Sequence, residues 1–254
     1  MFLKANEKEN NVLMYYKLSA FNEQDGIYGH ECVNEIICSR LCEYLGFNHL
    51  HYDLIHAKIN VSEKEYVTWL VKSADYKKPE EKRITMETLC KQNRVNISNR
   101  RAVYEFIKTL PFAKDVFQMM FLDYIVYNRD RHGANIEVLY NKKDQSYRLA
   151  PIFDCGSSLF APLQKDTDQI SNYNLLSNKP VNNFIYSMFL DDYLDILPDV
   201  MDFPQMQVEA LFLDDLAEAF DENGQLYVEK IKEMLKTRYE NIHEKFAERG
   251  CERA

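Results

Sequence analysis

The chain carries Asp130-Arg131-His132-Gly133-Ala134-Asn135 directly after an apolar stretch and directly before a strand–turn–strand pattern ending in Phe153-Asp154-Cys155-Gly156. This order limits the fold more than any other feature. Asp115 to Tyr127, with Val116, Met119, Met120, Tyr124 and Val126, reads as a buried helix that delivers the chain into a polar loop, Asn128 to Asn135. Ile136–Tyr140 and Tyr147–Phe153 then read as a hairpin around Asn141-Lys142-Lys143-Asp144-Gln145. Helix, loop and hairpin in that order bring two Asp and one Asn side chain together. Oxygen donors so grouped suit phosphoryl transfer from a nucleotide. One carboxylate accepts or orients the attacking hydroxyl, while an amide oxygen and the other carboxylate hold magnesium on the phosphates.

The preceding sequence has a different texture. Val12–Leu18 reads as a strand, and Phe21–Gly29 as a polar connection. His30–Leu45 places Val33, Ile36, Ile37, Leu41 and Tyr44 at helical spacing, with Gly46 as the stop. His51–His56, Ile59–Ser62 and Lys64–Val71 read as further strands. The charged stretch Ala74–Lys82, containing Pro79, marks a boundary. From Ile84 the pattern is mainly helical, with tail helices at Met206–Phe220 and Gln225–Arg249 separated by Asn223-Gly224. The expected class is α+β in two lobes: a small α/β lobe over residues 1–74 and a mainly helical lobe over 75–254.

Charge and cysteine content exclude several classes. A net charge of −9 argues against a general nucleic-acid binder, and Lys77-Lys78 and Lys142-Lys143 are short enough to be solvated turns. No apolar run approaches the roughly 20 residues of a membrane span. Met1–Glu7 lacks a signal peptide's apolar core, so cytoplasmic residence is expected. The six cysteines form no C-x-x-C pair; Cys38 and Cys42 lie one helical turn apart without a matching pair, which favours buried reduced thiols. His49, His51 and His56 have no Cys or carboxylate partner set for a metal.

Roles follow from position. Asp130 is the candidate base, and Asn135 and Asp154 the candidate magnesium ligands; the plainer alternative is a polar loop shaped by these residues. His132 is either a loop organiser near the phosphates or a satisfied polar side chain. Arg129 and Arg131 suit pairing with acidic residues or with a phosphorylated segment, and ordinary surface ion pairs are expected. Lys17 on its strand suits the α- and β-phosphates, held by Glu35 of the following helix, with Glu31 one turn away as competitor. Lys4 to Asn11 takes the place of a phosphate-covering loop, offering Asn6 and Lys8 as contacts. It contains no glycine, and Glu7 and Glu9 oppose the charge of Lys8. Trp69-Leu70-Val71 ends a strand where backbone groups would meet adenine; simple core is the other reading of Trp69.

Taken together, Tyr16-Lys17-Leu18, Asn34-Glu35, Arg40-Leu41, Leu45-Gly46, Asp130 to Asn135, and Leu149-Ala150-Pro151-Ile152-Phe153-Asp154 resemble the HipA-type serine/threonine kinases of bacteria, from about Ala5 to about Phe160. The D-x-x-x-x-N spacing is that of a kinase catalytic loop, and D-C-G stands where kinases carry D-F-G. The resemblance implies a two-lobed kinase-like fold, ATP with magnesium, and a Ser/Thr hydroxyl of a protein (this chain included) as acceptor. It implies Asp130 as proton acceptor, Asn135 and Asp154 on metal, Lys17 on phosphate and His132 beside the nucleotide. Three departures from the resemblance are expected: a nucleotide loop without glycine, no counterpart of the toxins' N-terminal subdomain, and no Ser or Thr in residues 4–11 to be phosphorylated as a switch. A nucleotide-binding module without turnover, and a lipid or small-molecule kinase, are the alternatives.

Overall fold

The computed structural model describes residues 2–163, 166–184, 189–197, 206–220 and 222–252. Its first part contains β1 (Phe2–Glu9), β2 (Val12–Asn22), β3 (Gly26–Ile27), α1 (Glu31–Leu45), β4 (Asp53–Val61) and β5 (Lys64–Ala74). An antiparallel sheet runs in the order β1-β2-β5-β4, with β3 on the end of β2. The expected strands are present but longer, and His51–His56 and Ile59–Ser62 fall largely within one strand, β4. The stretch read as a phosphate-covering loop is instead β1 and a tight turn. Glu9 pairs Val12, and Asn10 and Asn11 turn the chain at φ 49° and 66°. Positive φ at both central positions is the pattern of a type I′ turn, and asparagine supplies it at less strain than most residues.

The β4–β5 hairpin turns in the same way on Ser62 (φ 49°) and Glu63 (φ 64°), without asparagine or glycine. Glu63 bears a Cβ in a conformation that disfavours one. Glu63→Gly is therefore expected to stabilise the fold by about 0.5–1 kcal/mol, after subtracting glycine's extra chain entropy. Urea unfolding would measure it, and a loss of stability would show that the turn is not strained.

α1 lies across β2 and β5, burying Val33, Ile36, Ile37 and Leu41. Ser19 on β2 accepts the Cys32 N–H at 3.0 Å, which fixes the start of the helix against the strand. The helix ends where expected. Gly46 turns at φ 69°, and the N–H groups of Gly46 and Phe47 return to Glu43 and Cys42 carbonyls.

Next come β6 (Glu81–Thr85), α2 (Met86–Gln92), α3 (Arg100–Lys108), α4 (Ala113–Ile125), β7 (Asp130–Arg131), β8 (Glu137–Asn141) and β9 (Ser146–Leu149). The hairpin β8–β9 forms as expected, but β6 adds to it, making an antiparallel sheet β6-β8-β9 where a charged linker was read. α4 is buried almost all round. The remaining elements are α5 (Thr167–Ser171), β10 (Asn182–Asn183), α6 (Asp191–Ile196) and α7 (Gly224–Glu252). Met206–Phe220 is not the expected α-helix. It forms two 3-10 turns, Val208–Leu211 and Leu213–Ala219, interrupted by exposed Phe212 at φ 49°. α7 begins at Gly224, where a Cβ would sit 1.9 Å from the Ala217 carbonyl oxygen. It docks on α4 through buried Arg238, which donates to the Tyr124 carbonyl at 2.6 Å and lies over the Tyr124 and Tyr127 rings. Cys32, Cys38, Cys42, Cys90 and Cys155 are buried free thiols; the side chain of Cys251 falls outside the described set.

Candidate active site

Three distant segments meet at Lys17. β2 presents it opposite Val71 of β5, on the face that α1 covers. Its Nζ lies 2.7 Å from Oε1 of Glu35 on α1 and 2.5 Å from Oδ1 of Asp154. The other Glu35 oxygen accepts the Cys155 N–H at 2.8 Å. One buried carboxylate thus joins the strand lysine to the segment carrying Asp154. Glu31 is engaged elsewhere, accepting the Ala20 N–H at 2.9 Å. Asp154 sits at φ 58°, a left-handed conformation that non-glycine residues adopt rarely and mostly where neighbours hold them.

Burial alone would lower the Lys17 pKa, but Glu35 and Asp154 carry it above its ordinary value. Burial alone would raise the Asp154 carboxyl, yet Lys17 above all, then Lys4 and Arg131, hold it below the usual range. A carboxyl depressed on folding contributes stability above its unfolded pKa, and that contribution is lost as pH falls through the folded value. The stability gap between wild type and Asp154→Asn should therefore be constant above about pH 5 and narrow below about pH 4. Urea unfolding across that range would read it; a gap flat with pH would remove Asp154 from the ion pair.

The loop after α4 is built around a buried ion pair. Asp123 and Arg131 are 0% and 1% exposed, with Nε 3.0 Å from Oδ2. Arg131 also donates to the Phe153 carbonyl at 2.6 Å and to Cys155 Sγ at 3.1 Å. Asn128 donates to Asp123 at 2.8 Å and accepts the Asp130 N–H at 3.2 Å. The expectation of a surface ion pair at Arg131 is thus corrected. The apolar helix takes Asp123 out of water, and a hydrogen-bonded guanidinium compensates it there. Arg129 is half-buried as well, lying over the Tyr127 ring and donating to the Leu159 carbonyl at 3.2 Å.

Asn135 donates to the Asp130 carbonyl at 2.9 Å, which leaves its amide oxygen available as a ligand. His132 Nδ1 accepts the Ala134 N–H at 3.2 Å and caps the 3-10 turn Gly133–Asn135, while Nε2 lies 3.8 Å from Asp130 Oδ1. That same Asp130 oxygen accepts Nδ2 of Asn182 at 2.9 Å. Asn182 had no signal in the sequence. It arrives because β10 pairs in parallel with β7, Asn182 beside Asp130 and Asn183 beside Arg131.

A cleft of about 260 Å³ opens beside Lys17, lined by Lys4, Tyr15, Val71, Ser73, Tyr76 and Phe153 among others. Tyr76 donates to Glu137 at 2.7 Å and stacks on Phe153. Of the expected adenine segment, only Val71 lines this cleft. Leu70 faces the opposite side of the sheet, and Trp69 stacks on His56 at 4.5 Å between centroids. The strand continues to Ala74, so Ser73 and Tyr76 occupy the wall assigned to Trp69 and Leu70. His49 and His51 pack against each other.

Within β1, Lys4, Asn6 and Lys8 pair Lys17, Tyr15 and Leu13, which puts them on the Lys17 face. Lys4 lines the cleft; Asn6 and Lys8 do not. Glu7 and Glu9 face the other way, each 2.5 Å from the Tyr16 hydroxyl, with Glu9 also 2.6 Å from Lys72. The two glutamates read as opposing a phosphate therefore turn away from the site.

Residues 4–241 match the family described as HipA-like C-terminal domain. The chain belongs to that family. The serine/threonine-protein kinase CtkA of Helicobacter pylori is 27% identical over 175 residues, covering 65% of this chain and 52% of that protein. The chain thus spans about half the length of this curated relative. The crystal structure of the Helicobacter pylori proinflammatory kinase CtkA matches with a TM-score of 0.67 at 18% identity, over 98% of this chain and 94% of that one. A chain of the HipA, HipB and operator DNA complex from Shewanella oneidensis MR-1 matches with a TM-score of 0.52 at 13% identity, over 97% and 66%. The mixed α/β architecture with antiparallel sheets is thus a HipA-like fold. Within it, Asn135 and Asp154 fit a magnesium ion in chemistry, since both offer hard oxygen donors. Among the described residues no group of three His, Cys, Asp or Glu could hold a metal unaided. The pair would need phosphate oxygens and water to complete an octahedron.

Proposed function

We propose that this HipA-like chain is an ATP- and magnesium-dependent kinase that phosphorylates a Ser or Thr hydroxyl of a protein, itself included. Residues 1–74 serve as the nucleotide-holding lobe and residues 75–254 as the mainly helical lobe with the catalytic loop. The observation that carries this reading is the contact of Lys17 with both Glu35 and Asp154, in a segment that Arg131 ties to the Asp130 loop. Family membership and the name borne by the Helicobacter pylori relative support it.

Lys17, steadied by Glu35, binds the α- and β-phosphates, and Lys4 adds a second cation on the same face. Asn135 and Asp154 would hold a magnesium ion, whose chemistry there would be to offset negative charge on the phosphates. His132 organises the loop beside the nucleotide. Asp130 accepts the hydroxyl proton as the acceptor oxygen bonds to the γ-phosphorus. The bond to the β,γ-bridging oxygen breaks, ADP departs with that electron pair, and the proton on Asp130 returns to solvent. Among the described residues no helix is long and apolar enough to cross a membrane. The acidic balance does not favour anionic lipid, and the buried free thiols suit the reducing cytoplasm.

The test is labelled ATP with magnesium, offered protein acceptors in parallel with inositol lipids and small alcohols. Transfer to protein is expected. Transfer confined to a lipid or small alcohol would replace the acceptor class. The glycine-free hairpin favours one other reading, a nucleotide-binding module without turnover. A melting shift with ATP but no transfer to any acceptor would establish that reading instead. At a hundredfold excess over Kd such a shift corresponds to about 2.7 kcal/mol.

A further inference from the structure

Asp130 lies five residues beyond the apolar helix α4, on a two-residue strand, with its side chain 44% exposed. A carboxylate so placed would rotate freely unless something held it. Two groups approach the same oxygen, Oδ1: the Asn182 amide at 2.9 Å and His132 Nε2 at 3.8 Å. Only the first is within hydrogen-bond distance.

The placement of Asn182 owes little to its own side chain. Its backbone N–H donates to the Arg129 carbonyl at 2.8 Å, and β10 runs in parallel register with β7. Three residues earlier, the Lys179 N–H donates to the hydroxyl of buried Tyr127 at 2.9 Å. The amide is therefore delivered by backbone pairing, on a residue that is itself exposed. An amide is also the right chemistry. It donates one hydrogen bond and carries no charge, so it orients a carboxylate without pairing it away from its proton-accepting role.

We propose that Asn182 is a positioning residue for the base: its amide holds Oδ1 of Asp130 so that Oδ2 faces the acceptor hydroxyl. This rests on the kinase reading of Asp130. A cavity of about 290 Å³ opens beside Asn182 and His132, lined also by Gly133, Val181, Phe184 and Met86 among others. It gives an acceptor side chain room to approach beside Asn182. Misorienting a reacting group by about 1 Å costs on the order of 100-fold in rate.

The experiment compares wild type, Asn182→Ala and Asn182→Asp for kcat, KM for ATP and melting temperature. Both variants keep the backbone N–H that pairs β10 with β7. Asn182→Ala should lower kcat by about 10–100-fold with KM for ATP and melting temperature unchanged. Asn182→Asp, isosteric but repelling, should lose at least as much. In the Asp130→Asn background, Asn182→Ala should have no further effect on residual turnover. An unchanged kcat would overturn the proposal. So would a fall in melting temperature with kcat and KM changed together, which marks a structural role. A raised kcat would overturn it too, since the segment would then be blocking the acceptor.

A second readout does not depend on turnover. The Asn182 side-chain amide resonances should move in Asp130→Ala, with other asparagine amides distant from the loop unmoved. If wild type transfers no phosphate yet these resonances move, the pairing stands and the kinase reading fails. If they do not move, the positioning role fails whatever the activity.

Discussion

Asp130→Asn should lower phosphoryl transfer by about 10²–10⁴-fold, the range a positioned general base contributes. Nucleotide-dependent melting should survive. The reason lies in where the Asp130 side chain points. Lys17 contacts both Glu35 and Asp154, and Lys17 and Asp154 line the cleft, while the Asp130 carboxylate contacts Asn182 outside it. The substitution keeps shape and leaves the Asp130 carbonyl free to accept from Asn135 as before. Asp130→Asn is a cleaner probe than Lys17→Met. Removing Lys17 would leave Glu35, whose side chain is 1% exposed, without its cation, and folding would fail together with activity. Labelled-ATP turnover and a thermal shift titration on the same sample would measure both effects. Equal transfer by wild type and Asp130→Asn would reject this residue as the base.

Asp123→Ala should destabilise the protein by about 3–5 kcal/mol, the usual result of removing one partner of a buried ion pair. For a chain of this size each kcal/mol moves the melting temperature by roughly 2–4 °C, so a fall on the order of 10 °C is expected. Arg131 would lose its counter-charge in a place without water, and Asn128 would lose its acceptor. The effect should reach the nucleotide as well, because Arg131 also holds the Phe153 carbonyl next to Asp154. Asp123→Leu combined with Arg131→Met should recover part of the stability, since an apolar pair removes the stranded charge. That double variant should still bind nucleotide poorly. Scanning calorimetry of the set would decide it; a shift of under about 2 °C in Asp123→Ala would mean that water reaches the pair.

How much of this was readable depends on where each element lies. α1 and α7 were legible from apolar residues at helical spacing, α4 from its nearly unbroken apolar run, and the β8–β9 hairpin from its polar turn between two apolar stretches. β1 and β6 were not, and both are edge strands. Edges carry charge to discourage pairing with other chains, so Lys4-Ala5-Asn6-Glu7-Lys8-Glu9 and Glu81-Lys82-Arg83 look like loop. Met206–Phe220 looked helical because 3-10 turns and an α-helix share similar short-range spacing, and nothing marked Phe212 as the break. That Asp130 and Asn135 share one loop was legible from local spacing. The choice of Glu35 over Glu31 depends on the rotation of α1 against β2, which no short-range pattern fixes. The burial of Arg131 follows from Asp123, eight positions earlier on another element. Asn182 is the extreme case, 52 positions from its partner on a strand of two residues.

The asparagine-tipped hairpin of β1 and β2 has a thermodynamic consequence. Glycine loses more conformational freedom on ordering than any other residue. A flap closed by Asn10 and Asn11, already paired from Lys4 to Glu9, has little such freedom to surrender when a ligand settles beneath Lys4. Binding under this hairpin should carry a smaller entropic penalty than under a glycine-rich one.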